Sequence, residues 1–414
     1  IPSLNSKDKL NIIDKLKIFP VVVSSLPGIS QIAEQGLIVE SRQKVKIDDI
    51  LGRDQVIPDS NLLKKNIRNK NILVTGAGGS IGSELCRQII KYSPKSLILF
   101  EQTEYALYKV EKSVLEKIED LNIKIYPFIG DIRNKNKIKT IIKNFKINTI
   151  FHAAAYKHVP MVEMNIMAAF ENNVLGTLCC VEAASEMKIN NFVLISTDKA
   201  VRPTNIMGAT KRVSEMIVQS YATDSSTKFS VVRFGNVLGS SGSVIPLFER
   251  QIEKGGPVTV THKGIKRYFM TVQEAAQLVI QASAIKTKGN IFVLDMGKPI
   301  KILDLAKKMI ELSGFTWTLN NNKNADININ VTGLRPGEKL FEELAISNKI
   351  YKTSNPKIVS IDEDYVEKNK LKRLLMDIDY EYTKSNIKNL KIFLMKIVKD
   401  YKPNSKIADN LINK

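Results

Sequence analysis

From Asn71 onward the apolar positions fall in short continuous runs, Ile72–Thr75, Ser96–Phe100, Ile123–Ile129, Thr149–His152, Phe192–Ser196 and Ser230–Phe234, separated by stretches with helical spacing. Continuous runs, as opposed to strict alternation, mark strands covered on both faces, and helices between them mark parallel crossovers. The pattern predicts an α/β fold: a doubly wound parallel (Rossmann) sheet of six strands that binds its ligand at the carboxyl edge. Past Asn236 the rhythm breaks into loops, a strand Val258–Thr261, helices near Glu274–Ser283 and Ile302–Ser313, and a strand Ile291–Leu294. This stretch is expected to form a smaller mixed α/β lobe over that edge.

The expected organisation is a remnant of a preceding domain over 1–57, a polar, basic linker over 58–70, and the dinucleotide-binding domain over 71–236. A substrate lobe over 237–345, partly interleaved with that domain, and a Lys-rich helical extension over 346–414 complete the chain.

Composition narrows the function classes. With 43% hydrophobic and 25% charged residues the chain can bury a large core. No apolar stretch approaches the roughly 20 residues of a membrane span. Cys86, Cys179 and Cys180 lack metal-site spacing and fit a reducing, cytoplasmic setting. The net charge of +20 is spread along the chain without interleaved aromatics, which argues against a nucleic-acid module.

The first strand runs into Thr75-Gly76-Ala77-Gly78-Gly79-Ser80-Ile81-Gly82-Ser83-Glu84 and then a helix. Gly76 suits a tight turn, Gly79 admits a pyrophosphate, and Gly82 allows close helix–sheet packing, with Ser80 and Ile81 at the helix N-terminus. Glu101, at the end of the second strand, is placed to grip ribose hydroxyls and to repel a 2′-phosphate, which favours NAD over NADP. Asp131 and Ile132 follow the third strand, and Ala153 and Ala154 the fourth, where small residues let a cofactor lie close. The fifth strand delivers Ser196-Thr197-Asp198-Lys199-Ala200 to the same edge. Met207 and Lys211 then share one face of the next helix.

Taken together, the glycine loop, His152-Ala-Ala-Ala-Tyr-Lys-His158-Val-Pro160, Ser-Thr-Asp-Lys-Ala, Arg233-Phe-Gly-Asn-Val237 and Leu334-Arg-Pro-Gly-Glu338 resemble the polysaccharide-biosynthesis nucleotide-sugar 4,6-dehydratases. These are extended short-chain dehydrogenase/reductases, and the likeness covers roughly residues 70 to 345. Most of that superfamily carries a Tyr four residues before the Lys; here Met207 stands there, and a thioether cannot act as a general base. Met at this position resembles the large, membrane-anchored, C5-retaining members, so the chain is expected to be a soluble fragment of such a protein, with its catalytic part on the cytoplasmic side of the membrane.

The resemblance implies oxidation of a UDP-N-acetylhexosamine at C4, proton removal at C5, loss of the C6 hydroxyl as water, and return of hydride to C6. In that scheme Lys199 removes the C5 proton, Asp198 protonates the C6 hydroxyl, and Thr197 with Lys211 manages the C4 oxygen. Lys199 must then be partly neutral, which burial is expected to favour. Asn236, Arg267 and Arg335 are assigned to the UDP portion, Ser241 and Glu338 to substrate binding, Lys157 and His158 to the sugar, and Lys211 also to the cofactor. A homodimer is expected and no metal. Three rivals stay open: a C5-inverting dehydratase, a UDP-sugar 4-epimerase with no need of an Asp-Lys pair, and a dinucleotide-binding redox sensor without turnover.

Overall fold

A computed structural model describes residues 58–118, 123–240, 242–286, 291–319, 325–346, 349–404 and 407–412, with a few isolated positions before residue 58. The expected N-terminal remnant lies almost wholly outside the described residues; there, Ser24–Ser25 pairs antiparallel with Gln43–Lys44. The chain divides into two compact units.

The larger unit holds Pro58–Gly235, Val272–Met296 and Arg335–Lys414. Its sheet has nine strands: β1 Asn71–Thr75, β2 Ser96–Glu101, β3 Lys124–Ile129, β4 Thr149–His152, β5 Asn191–Ile195, β6 Lys228–Arg233, β7 Ile291–Leu294, β8 Ile350–Lys352 and β9 Ile358–Ile361. Their order is β3-β2-β1-β4-β5-β6-β7-β9-β8. The first seven run parallel; β9 pairs antiparallel with β7, and β8 with β9. The doubly wound sheet expected from the six apolar runs is present, with the reversal of strand order between β1 and β4. Ile72, Leu73 and Val74 are fully buried because helices cover both faces.

Three expectations are corrected. The strand Ile291–Leu294 and the helix before it belong to the sheet unit, since β7 extends the parallel ladder beside β6. The C-terminal stretch contributes two strands as well as helices Lys368–Met376 and Lys384–Ile397. Within the expected linker, Ser60–Lys65 is a helix capped by the Asp59 carboxylate, with Leu63 and Ile67 fully buried one turn apart.

The central helix of this unit, Ile206–Ala222, buries sixteen of its seventeen residues, including Lys211, Arg212, Glu215 and Gln219. Burying so many polar groups is costly unless each finds a partner. Gln219 donates to the Glu363 carbonyl at 2.9 Å and Ser214 to the Asn173 carbonyl at 2.7 Å. Arg233 on β6 is clamped by Glu215 and Glu363 through four contacts of 2.6 to 2.7 Å, and Arg212 lies 3.0 Å from Glu215. Two buried guanidinium groups thus face two buried carboxylates.

The smaller unit includes Asn236–Thr271 and Gly297–Leu334. Val258–Val260, Ile327–Val331 and Trp317–Thr318 form a parallel three-stranded sheet. Helices Val244–Glu253 and Ile302–Leu312 pack on it through Ile245, Phe248, Leu305 and Ile310.

Candidate active site

At the carboxyl end of β1 the chain turns into the helix Ser80–Ile90 through a loop that steric constraint defines almost completely. Gly76 has φ +65°, and a Cβ there would meet the Ala154 backbone nitrogen at 2.7 Å. A Cβ on Gly82 would lie 2.0 Å from the Gly76 carbonyl oxygen, and one on Gly78 2.5 Å from the Ala106 Cβ. Gly79 differs: its added Cβ would meet only the Gly76 oxygen, at 3.3 Å, so its missing side chain serves space outside the protein. It is the N-cap of the helix and makes no side-chain cap bond, and the dipole of such a helix N-terminus favours an anion.

These glycines open onto a cleft of about 270 Å³ lined by Gly76, Gly79, Glu101, Ile132, Ala153 and Ala154 among others. One Glu101 oxygen accepts from the Gly78 N–H at 3.0 Å, and the other from the Gln102 and Thr103 N–H groups at 2.9 and 3.1 Å. That fixes the carboxylate at the mouth of the cleft. Asp131 is not part of the lining; its carboxylate is taken by Arg133, which also pairs with Glu171. Ser80 and Ile81 begin the helix, outside the lining, and Gly82 serves packing alone.

Beneath the cleft a polar chain ties three elements together. The Asn173 carbonyl accepts from the Thr177 hydroxyl at 2.6 Å, so Thr177 Oγ1 receives the His152 Nε2 proton at 3.1 Å and His152 Nδ1 accepts from Thr75 at 2.7 Å. Burial, with the Lys211 ammonium adding to it, pushes the His152 pKa down to about 3, so the ring is neutral as this chain requires.

After β5, Asp198–Ala200 forms a single 3₁₀ turn whose cap is Thr197. Asp198 is fully buried. Its Oδ1 accepts from Thr197 Oγ1 at 2.9 Å and from Lys199 Nζ at 3.0 Å, while Oδ2 has no hydrogen-bond partner. The helix Ile206–Ala222 starts against this turn: a Cβ on Gly208 would lie 2.1 Å from the Lys199 carbonyl oxygen. Lys211, one turn on, donates to the Ile195 carbonyl at 2.8 Å. Burial, partly offset by Glu215, pushes its pKa down to about 8. Met207 is buried in the hydrophobic core.

The structure therefore brings Thr197, Asp198 and Lys199 together. A residue that the sequence reading missed also reaches them: Glu342, whose carboxylate lies 3.8 Å from Lys199 Nζ. Its only signal was a place in the run after Arg335-Pro-Gly-Glu338. Lys157 and His158 are exposed just after the β4 loop. Within one turn of the larger unit the Glu338 carboxylate accepts from the Arg335 N–H, and the Arg335 carbonyl accepts from the Glu338 N–H, both at 3.0 Å. Asn236 and Arg267 lie in the smaller unit, where Asn236 pairs with Phe269 and the Arg267 guanidinium donates to the Lys266 carbonyl at 2.8 Å. Ser241 lies outside the described residues. Among the described residues no cluster of His, Cys, Asp and Glu could hold a metal ion, and no helix is long and apolar enough to cross a membrane.

A family model described as polysaccharide biosynthesis protein matches residues 72–363, which takes in both loops. The chain belongs to this family. The capsular polysaccharide biosynthesis protein CapD of Staphylococcus aureus is 50% identical over 353 residues, covering 85% of this chain but 57% of CapD; the chain thus spans little more than half the length of that relative. A Campylobacter jejuni UDP-N-acetylglucosamine 4,6-dehydratase of the inverting kind is 30% identical over 289 residues, 69% of this chain and 80% of its own. Among solved structures, Pen from Bacillus thuringiensis superposes with a TM-score of 0.63 at 32% identity, over 75% of this chain and 98% of Pen. The fold is accordingly that of the extended short-chain dehydrogenase/reductases.

Proposed function

We propose that this chain is a C5-retaining UDP-N-acetylglucosamine 4,6-dehydratase serving surface-polysaccharide synthesis, working with a bound NAD. The observation that carries this reading is the pair of the buried Asp198 with the partly buried Lys199 at a carboxyl strand end, with the free Asp198 oxygen beside it and no phenol at position 207. The cleft fits a nicotinamide dinucleotide: Gly79 leaves room for the pyrophosphate at a helix N-terminus, and the fixed Glu101 carboxylate suits ribose hydroxyls and opposes a 2′-phosphate. When bound, the cofactor supplies hydride acceptance from C4 and its return to C6.

The protein's share is proton management. In the buried site the Lys199 ammonium can pass a proton to Asp198, turning an ion pair into an amine and a carboxylic acid with no net change of charge. Lys199 is then the base for the C5 proton, and Asp198 the acid that protonates the departing C6 hydroxyl. Lys211, its ammonium weakened by burial, serves the C4 hydroxyl in place of the phenol–lysine couple that Met207 breaks.

Incubation with UDP-N-acetylglucosamine in deuterated water, followed by NMR, tests the reading. A 4-keto-6-deoxy sugar carrying deuterium at C5 with configuration retained is expected. Inversion at C5, a product changed only at C4, or unchanged substrate overturns it.

A further inference from the structure

The segment that follows Arg335 crosses the Thr197-Asp198-Lys199 turn and is pinned to it at several points. The Gly337 carbonyl accepts from Thr204 Oγ1 at 2.8 Å and from Asn205 Nδ2 at 3.0 Å. Gly337 has φ +78°, and a Cβ there would lie 2.6 Å from the Asn205 Cβ, so the contact needs a glycine. Lys339 Nζ donates to the Val201 carbonyl at 2.9 Å, and Arg202 pairs with Glu343. Anchored on both sides, the segment has little freedom at Glu342, whose side chain is 4% exposed and lies 3.8 Å from Lys199 Nζ.

We infer that Glu342 is a positioning residue for the proposed proton transfer: it faces the Lys199 amino group from the crossing segment and supplies a negative charge against which Lys199 takes up the C5 proton. This rests on the function proposed above. A carboxylate some 4 Å from an amine favours its protonated form by an amount that shifts titration by about 1 to 3 units. Removal of a C5 hydrogen beside a ketone is helped by a stronger base, and Glu342 makes Lys199 one. Among the described residues, the charged groups facing Lys199 include Asp198 on its own turn and, from the crossing segment, Glu342 and Lys339; Glu343 is engaged by Arg202. Lys339 also acts on this group electrostatically, and its own ammonium is weakened by burial and strengthened by Glu342, Glu343 and Asp198. Glu342 therefore sits in a charge-coupled set and is no isolated surface acid.

The test follows the Lys199 amine directly. Acetylation of Lys199 by acetic anhydride, quantified by peptide mass spectrometry between pH 6 and 11, is compared in wild type, Glu342→Gln and Glu342→Asp, with circular dichroism confirming the fold. The Glu342→Gln midpoint is expected about one pH unit below wild type, with Glu342→Asp close to wild type. Coincident midpoints for wild type and Glu342→Gln overturn the inference. The same variants are then followed for deuterium uptake at C5 of UDP-N-acetylglucosamine, where Glu342→Gln should lower the plateau rate about tenfold and move the acid limb to lower pH. A rate loss with an unmoved limb is what a purely structural role gives and overturns the inference. A moved acetylation midpoint without turnover by any variant, wild type included, supports the role of Glu342 and overturns the dehydratase reading instead.

Discussion

The glycine loop after β1 and the Thr197-Asp198-Lys199 turn after β5 stand at the same edge of one sheet, yet they are built on different principles. The glycine loop is defined by exclusion: backbone from Gly76, Ala106 and Ala154 approaches so closely that side chains do not fit. The turn after β5 is defined by charge, and its partners come from far along the chain: Glu342 by way of the crossing segment, and Glu215, Arg233 and Glu363 as the buried network that also takes the Ser196 hydroxyl at 2.6 Å. A loop made by exclusion fails through crowding, whereas a turn made by charge fails when one partner is removed. The two kinds of failure can be separated by experiment.

The largest effect is expected in the glycine loop. Gly82→Ala puts a methyl group 2.0 Å from the Gly76 oxygen, where backbone must move. It should cost about 3 kcal/mol in stability and abolish dinucleotide binding, as read by thermal melting and by cofactor titration. Gly79→Ala is the sharpening control. Its methyl group meets one atom at 3.3 Å, so melting should stay near wild type while cofactor affinity falls at least tenfold. If both variants lose stability alike, Gly79 is held by packing as Gly82 is and does not serve a ligand.

That difference also explains what could be read from the sequence. A strand run followed by spaced glycines is a local signal, so the first six strands and the glycine loop were legible together. The Thr197-Asp198-Lys199 turn was legible as chemistry, because three polar residues directly after an apolar strand are conspicuous. Its surroundings were not. Nothing local to Glu342 announces a contact with a lysine well over a hundred positions earlier, and nothing in the motif Arg233-Phe-Gly-Asn-Val237 announces that Arg233 lies fully buried between two glutamates. The stretch 58–70 misled for the opposite reason: its many Lys and Asn residues masked the i, i+4 spacing of Leu63 and Ile67. The C-terminal strands were hidden likewise, since β8 is only three residues long and lies at the sheet edge.

The charged network gives the intermediate effect. Arg233→Met leaves two buried carboxylates against the single guanidinium of Arg212 and should destabilise the fold by about 3 to 5 kcal/mol at pH 7, measured by urea unfolding. Acid behaviour reports the same interaction. Burial opposes ionisation of Glu215, but Arg233, Arg212 and the Ser196 hydroxyl outweigh it and pull its pKa from 4.5 down to about 2. A carboxyl group whose folded pKa is depressed stabilises the protein above its unfolded pKa and loses that contribution as pH falls toward the folded value. Wild type should therefore lose stability between about pH 5 and pH 2, with a contribution from Glu215 on the order of 3 kcal/mol. In Arg233→Met this acid dependence should flatten or reverse. A slope equal to that of wild type would show that the network does not hold Glu215 ionised.

The smallest effect on stability is expected at Lys211, and it separates folding from chemistry most clearly. Burial brings the Lys211 pKa from 10.5 to about 8, so folding disfavours its ammonium form. As with Glu215, the folded state binds the proton less tightly than the unfolded chain and stability rises with pH, but here the protonated form is the charged one, so burial is a cost below pH 8 that fades between about pH 8 and 10.5. Lys211→Met removes this cost together with the bond to the Ile195 carbonyl, two terms of opposite sign and each of only a few kcal/mol. The variant should therefore melt at or above the wild-type temperature at pH 7 and gain less, or lose, at pH 10. C5 deuterium uptake from UDP-N-acetylglucosamine should meanwhile fall at least a hundredfold. A buried lysine kept for packing would give the reverse, a clear loss of stability at pH 7 with turnover largely preserved, and would remove Lys211 from the proposed chemistry.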